Sequence, residues 1–200
     1  MNEEESRKIK EADCVVVCLG HDNTTEKENH DRTFELPKEH LDYLRKILAL
    51  NKNVVVVLNG GGGIEMASWL DDVKAVLMAW YPGQQGGTAI SEIITGKVSP
   101  SGKLPISIET RLEDNPSYAH YYENVPRMRV PSINPYSRVE YREGIFVGYR
   151  GYEKNDVTPL FPFGFGLSYT SFEYSDLQIT QDGREYVVSF NVKNAGKMAG

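Results

Sequence analysis

NVVVVLNGGGGIE, residues 53–65, is the stretch whose reading decides the fold. Valines 54–57 and Leu58 form a near-continuous β-branched and aliphatic run, the pattern of a parallel strand buried on both faces. Glycines 60–63 follow, and GGGGIEMASWLDD (60–72) predicts a helix restarting after a glycine turn. Upstream, DCVVVCLG (13–20) reads as another strand, preceded by one or two charged helical turns in ESRKIKEA (5–12). In LPKEHLDYLRKILALN (36–51), Leu36, His40, Leu41, Leu44, Ile47 and Leu48 recur at helical spacing, with Pro37 suited to the first turn. Downstream, KAVLMAWY (74–81) reads as a third strand and KLPISIE (103–109) as a short one. PGQQGGTAISEIITG (82–96) is a loop and then a helix, closed by Gly96 in the C-cap role. Strand and helix alternate, which predicts an α/β fold with a mostly parallel sheet sandwiched by helices. In such sheets functional groups gather past the carboxyl ends of the strands. Here those are the loops after Gly20, Leu58 and Trp80.

The bulk properties set bounds. Hydrophobic residues are 40% and charged residues 25% of 200, an ordinary globular composition. The formal charge of −6, with no basic patch, argues against nucleic acid as a partner. No apolar stretch is long enough to span a bilayer, and the polar start MNEEESRKIKEAD has no apolar core of a signal peptide. Cys14 and Cys18 sit four apart on one expected strand, about 13 Å between α-carbons at ~3.3 Å per residue, too far for a disulfide. They are expected to be buried thiols. No Cys or His pair has metal-ligand spacing, so no metal is expected.

Beyond about residue 110 the character changes. RLEDNPSYAHYYENVPRMRVPSINPYSRVEY is rich in Tyr, Pro and Asn and lacks periodicity, as an extended ordered loop would. Phe172, Tyr174, Leu177 and Ile179 then alternate with polar residues, and EYVVSFNVKNAGK (185–197) has a half-buried strand pattern. The expected division is an α/β sandwich core at 1–110, an extended loop and interdomain linker at 111–165, and the opening strands of an all-β module at 166–200. The glycine run is not a phosphate loop: no Lys and hydroxyl follow it, and its spacing fails the dinucleotide fingerprint. Its expected role is conformational freedom and close packing, with Glu65 favoured near a helix N-terminus.

WYPGQQGGTAISEIITGKVSPSGKLPIS (80–107), EGIFVGYRGYE (143–153) and PLFPFGFGLSYTSFEY (159–174) resemble the C-terminal half of family 3 glycoside hydrolases of the β-glucosidase type. The resemblance covers roughly residues 10–180. It implies a parent built from an N-terminal barrel carrying an aspartate nucleophile, this α/β sandwich, and a fibronectin type III-like domain whose first strands close the sequence. It also implies an oligosaccharide or β-glucoside substrate, no cofactor, and a parent compatible with export to the periplasm or outside the cell.

The resemblance gives meaning to HDNTTEKENHDR (21–32). A retaining glycosidase needs two carboxyl groups, a nucleophile and an acid/base. In the family the acid/base commonly sits on a loop after the first strand, just before an Asp-Arg pair. Glu28 stands three residues before Asp31-Arg32, where many relatives show Glu-Gly-x-Asp-Arg, and is the expected acid/base; Glu26 is the alternative. Asn29 replaces the usual glycine, which leaves the loop path open. Carboxylates Glu26 and Asp31 favour a protonated neighbour, whereas Lys27 and Arg32 oppose it. Asp31 and Arg32 are expected to anchor the loop. His21, His30 and the strand-end Trp80 are candidate sugar contacts. The implied function is the acid/base-bearing part of a retaining exo-β-glucosidase, inactive without the barrel. The rival is a non-catalytic carbohydrate-binding or structural domain of a related β-glycosidase such as a β-xylosidase.

Overall fold

The computed structural model describes residues 1–28, 32–121 and 141–200. They divide into two compact units: Met1–Gly83 with Leu104–Gly164, and Gln84–Lys103 with Phe165–Gly200.

The first unit is built on a three-stranded parallel sheet of β1 (Val15–Gly20), β2 (Val54–Asn59) and β3 (Ala75–Met78), in that order. The register pairs Val17 with Val56 and Leu19 with Leu58 on one side, and Val57 with Leu77 on the other. The central position of β2 explains its composition. Val54, Val56, Val57 and Leu58 are all 0% exposed, so the valine run is covered on both faces. The charged helix α1 (Glu3–Glu11) precedes the sheet, capped by Asn2 and Glu5 in a reciprocal capping box.

Helix α2 (Lys38–Leu50) crosses from β1 to β2. Its Leu44, Ile47 and Leu48 pack with Val17, Leu19, Val54, Val56 and Leu58, joined by Phe34, Leu36, Ile64, Met66, Trp69 and Ile108. Burying each such side chain contributes about 1.5–3 kcal/mol.

Three local expectations are corrected. Cys14 and Cys18 are free and exposed rather than buried. On β1 the core-facing residues are Val17 and Leu19, so Val16 and Cys18 take the opposite parity, and Val16 is 45% exposed. The segment 60–72 is not a helix but a turn followed by a single 3₁₀ turn, Leu70–Asp72. Four glycines open it, the poorest helix formers after proline. The Glu65 carbonyl is then taken by the Trp69 indole N–H at 3.1 Å, while the Trp69 amide turns back to Met66 O. The Glu65 carboxylate accepts from the Ser68 amide and hydroxyl instead of capping a helix. Third, 103–109 is not a strand. Among the described residues its one β-bridge is the antiparallel pair Ile108–Phe161, with a further backbone bond from Gly164 N–H to Leu104 O at 2.8 Å, and Pro105 has no N–H for a ladder. Short helices α4 (Tyr118–Tyr121) and α5 (Tyr149–Lys154) complete the described part of this unit; helix α3 (Gly86–Ile94), of the other unit, lies between β3 and α4 in sequence. Tyr122 and most of the Tyr- and Pro-rich stretch lie outside the described residues.

In the second unit, α3 (Gly86–Ile94) ends through Gly96, whose φ of +73° is the left-handed termination expected of it. The Ser168–Tyr169 pair ties down by side chains: Ser168 Oγ lies 3.0 Å from Ser99 Oγ, and the Tyr169 hydroxyl donates to Ile93 O at 2.9 Å. Strands β4 (Phe172–Asp182) and β5 (Glu185–Asn194) form an antiparallel hairpin turned at Gly183, with an irregularity between Ser175 and Gln178. The half-buried pattern expected of β5 is not realised: all ten of its residues are exposed. A two-stranded hairpin needs a further layer before alternating side chains can be covered. No helix among the described residues is long and apolar enough to cross a membrane.

Candidate active site

The carboxyl ends of β1, β2 and β3 meet at one edge of the sheet. β1 ends at Gly20, where a Cβ would lie 1.9 Å from Asn59 O, so only glycine fits. The ladder continues one step, His21 N–H donating to Asn59 O at 2.9 Å. Asp22 then folds the chain into a tight turn. Its Oδ1 accepts from the Thr24 amide at 2.9 Å and the Thr24 hydroxyl at 2.6 Å, which holds its carboxyl below the usual range. Its carbonyl accepts from Glu26 N at 2.7 Å.

This turn delivers Glu26 to the other two strand ends. Its Oε2 accepts from the Gly61 amide at 3.1 Å, in the loop after β2, and from the Tyr81 hydroxyl at 2.7 Å, past the end of β3. Its Oε1 lies 3.3 Å from Arg32 Nε. Arg32 in turn donates through Nη2 to Gly63 O at 2.6 Å and through Nη1 to Thr33 O at 3.1 Å. Both side chains are largely screened from solvent, at 22% exposure for Glu26 and 17% for Arg32.

The electrostatics follow from these contacts. Partial burial pushes the Glu26 carboxyl upward and is the largest single influence. The Tyr81 hydroxyl, the Gly61 amide and the Arg32 guanidinium together outweigh it, leaving the carboxyl below its usual range. The same hydrogen bond pushes the Tyr81 phenol up. His21 is 7% exposed, and neither ring nitrogen has a hydrogen-bond partner among the described residues. Burial, then the nearby Arg32 charge, lower its pKa, so the neutral imidazole is favoured.

The glycine run acquires a different explanation from the expected one. None of Gly60–Gly63 has a positive φ. A Cβ on Gly61 would lie 2.7 Å from Glu26 Oε1, and one on Gly62 would lie 2.5 Å from Arg32 Nη2. What glycine supplies is room for a carboxylate and a guanidinium from the preceding crossover loop.

The sequence candidates therefore separate. Arg32 bonds to Gly63 O and Thr33 O and pairs with Glu26. Glu28 is exposed in a turn, and its carboxylate has no hydrogen-bond or ion-pair partner among the described residues. Trp80 is half-buried with φ of +53°, its carbonyl accepting from Asn59 Nδ2 at 3.0 Å. A bulky residue in the left-handed region is costly and persists only where its surroundings hold it. His30 and Asp31, and the Asn29 departure, lie outside the described residues. Sequence reasoning did not single out Tyr81 hydroxyl or Gly61 amide as partners of Glu26. The glycine run was the available signal.

Beside Arg32 opens a cleft of about 470 Å³, lined by Phe34, Gly63, Ser107, Glu109 and Tyr152 among others. Buried Glu109 accepts from the Tyr152 hydroxyl at 2.6 Å and from Asn115 Nδ2; burial, then this bond, push the Tyr152 phenol far up. No cluster of three or more potential metal ligands occurs among the described residues.

Comparison with known proteins agrees with this architecture. The model of the glycosyl hydrolase family 3 C-terminal domain matches residues 1–169. The chain is 41% identical to thermostable β-glucosidase B of Acetivibrio thermocellus, over 98% of its own length and 25% of that protein's. It is 40% identical to the probable β-glucosidase I of Aspergillus oryzae, over 95% of its length and 22% of the relative's. Among solved structures it resembles a family 3 β-glucosidase from Bifidobacterium adolescentis, with TM-score 0.84 and 37% identity over 96% of this chain and 27% of that one. A β-glucosidase from Kluyveromyces marxianus in complex with glucose aligns with TM-score 0.82 and 36% identity, over 98% and 23% of the two chains. The chain thus spans about a quarter of the length of these relatives. A parallel sheet whose strand ends gather a carboxylate loop, together with a family match over most of the sequence, makes this chain a C-terminal domain of glycosyl hydrolase family 3.

Proposed function

We propose that this domain supplies the general acid/base of a retaining exo-β-glucosidase, and that Glu28 is the residue. The carrying observation is the contrast within one loop. The Glu26 carboxylate is engaged by three groups that stabilise its charged form, which opposes proton donation at neutral pH. Glu28 is exposed at the same strand-end rim, with its carboxylate unengaged among the described residues. Glucose as the sugar is supported by the names of the similar enzymes and by the glucose complex of the Kluyveromyces marxianus one.

In the reaction, an aspartate from the rest of the enzyme attacks the anomeric carbon while Glu28 gives its proton to the departing glycosidic oxygen. Glu28, now a carboxylate, then takes a proton from the water that hydrolyses the glycosyl-enzyme. The product keeps its β configuration and the acid/base is restored. The two carboxyl groups need to lie ~5–5.5 Å apart.

The test is Glu28→Gln in the full-length enzyme. For aryl β-glucosides with poor leaving groups kcat/KM is expected to fall by about 10²–10⁴, with far smaller loss of kcat/KM for 2,4-dinitrophenyl β-glucoside. Azide is expected to restore rate in Glu28→Ala and yield a β-glycosyl azide. Unchanged turnover in the Glu28 variants would leave the domain a structural or sugar-binding module.

A further inference from the structure

Resting on the assignment of Glu28, we infer that Glu26, Arg32 and Tyr81 form a clasp that positions the acid/base, Tyr81 being the residue that ties the loop to the far side of the sheet. Glu28 follows Glu26 by two residues, and Glu26 is paired with Arg32 at 3.3 Å. Fixing the Glu26 carboxylate fixes the point from which the chain runs on to Glu28. The ion pair is itself fixed to the sheet on both sides. Gly61 N–H and Gly63 O hold it to the end of β2, and the Tyr81 hydroxyl holds it past the end of β3. The loop after β1 is thus attached twice at the end of β2 and once past the end of β3, with Val56 and Leu58 fully buried just before the β2 loop. A proton donor acts only within hydrogen-bond reach of its target, so the loop's placement is part of the chemistry.

Tyr81 separates positioning from stability. It is 61% exposed, and its ring contributes little to the core, while its hydroxyl is fully committed to Glu26. Removing that oxygen leaves fold and charge alone and loosens one attachment. Replacing Glu26 by Gln keeps the shape but breaks the ion pair, leaving the Arg32 charge uncompensated beside Glu28's loop.

The experiment uses full-length enzyme carrying Tyr81→Phe, Glu26→Gln, or Glu28→Gln, assayed on phenyl and 2,4-dinitrophenyl β-glucosides with melting curves alongside. Tyr81→Phe is expected to melt with the parent and to lose about tenfold in kcat/KM on the phenyl glucoside but less than twofold in kcat/KM on the dinitrophenyl one, whose leaving group needs no proton. Glu26→Gln is expected to show the same selectivity, larger. Neither is expected to be rescued by azide, because the acid/base is still present. If Glu28→Gln shows selective loss while Tyr81→Phe and Glu26→Gln are both unaffected, or lose activity equally on both substrates, the clasp is structural only and the positioning role is overturned. If Glu28→Gln is unaffected and Glu26→Gln is rescued by azide, Glu26 is itself the donor, and the assignment beneath the inference falls instead.

Discussion

The Tyr81 hydroxyl donates a 2.7 Å hydrogen bond to Glu26 Oε2 across 55 positions of sequence, joining the end of the third strand to the loop after the first. Gly61 and Arg32 hold the same carboxylate, so Glu26 is fixed at the strand ends two residues before Glu28.

The engaged carboxylate predicts an acid-side loss of stability. Because the folded-state pKa of Glu26 is depressed, its contribution is fully present above the unfolded value of about 4.3 and disappears as pH falls through the lower folded value. Urea denaturation of the domain at pH 7 and pH 3 is expected to show a smaller difference for Glu26→Gln than for the parent. An equal pH difference in both proteins would remove Glu26 from the account.

His21 predicts a titration. Its folded pKa is lowered by burial and by Arg32, against weaker opposing influences from Glu26 and Asp22 and a further lowering from His40. The unfolded chain therefore binds the proton more readily, and stability declines as pH drops below about 6.5 toward the folded value. NMR titration of the ring protons is expected to place His21 below 6.5, moving upward in Arg32→Gln.

The glycines predict a contrast. Gly61→Ala and Gly62→Ala put a methyl 2.7 Å from Glu26 Oε1 and 2.5 Å from Arg32 Nη2, side-chain ends that can shift, and each is expected to cost less than about 1 kcal/mol in denaturant unfolding while displacing the ion pair. Gly87, inside helix α3 with open space at its Cβ position, is the control. Gly87→Ala is expected to stabilise by about 0.5–1 kcal/mol.

The core and the rim predict unequal sensitivity. Leu44→Ala, at 1% exposure, is expected to destabilise by about 2–5 kcal/mol. Cys18→Ser, on the exposed parity of β1, is expected to change stability by less than ~0.5 kcal/mol. Reaction of both thiols with a maleimide on the native protein checks the exposure directly.

Purified alone, the domain is expected to show negligible turnover of aryl β-glucosides, since one carboxyl group cannot complete double displacement. Turnover at the rate of a full-length relative would contradict the division of catalytic groups between domains.

Sequence by itself determined what short-range periodicity controls. The unbroken run 54–58 marked the buried central strand, the 3.6-residue spacing of Leu44, Ile47 and Leu48 marked α2, and Gly96 marked the end of α3. It also brought the carboxylates of the first loop to a strand end. Tertiary structure alone decided what depends on partners far along the chain. Cys18 and Leu19 are both apolar strand residues to a pattern, and only the placement of α2 against one face of the sheet assigns one to solvent and the other to the core. The segment 60–72 opens on four glycines instead of forming the expected helix, and the Trp69 indole donates to Glu65 O, a contact no local pattern shows. The distinction between Glu26 and Glu28 is of the same kind. Two glutamates two residues apart carry the same local signal; the partners of one lie 6, 35 and 55 residues away, and only folding brings that arginine, that amide and that phenol to a single carboxylate.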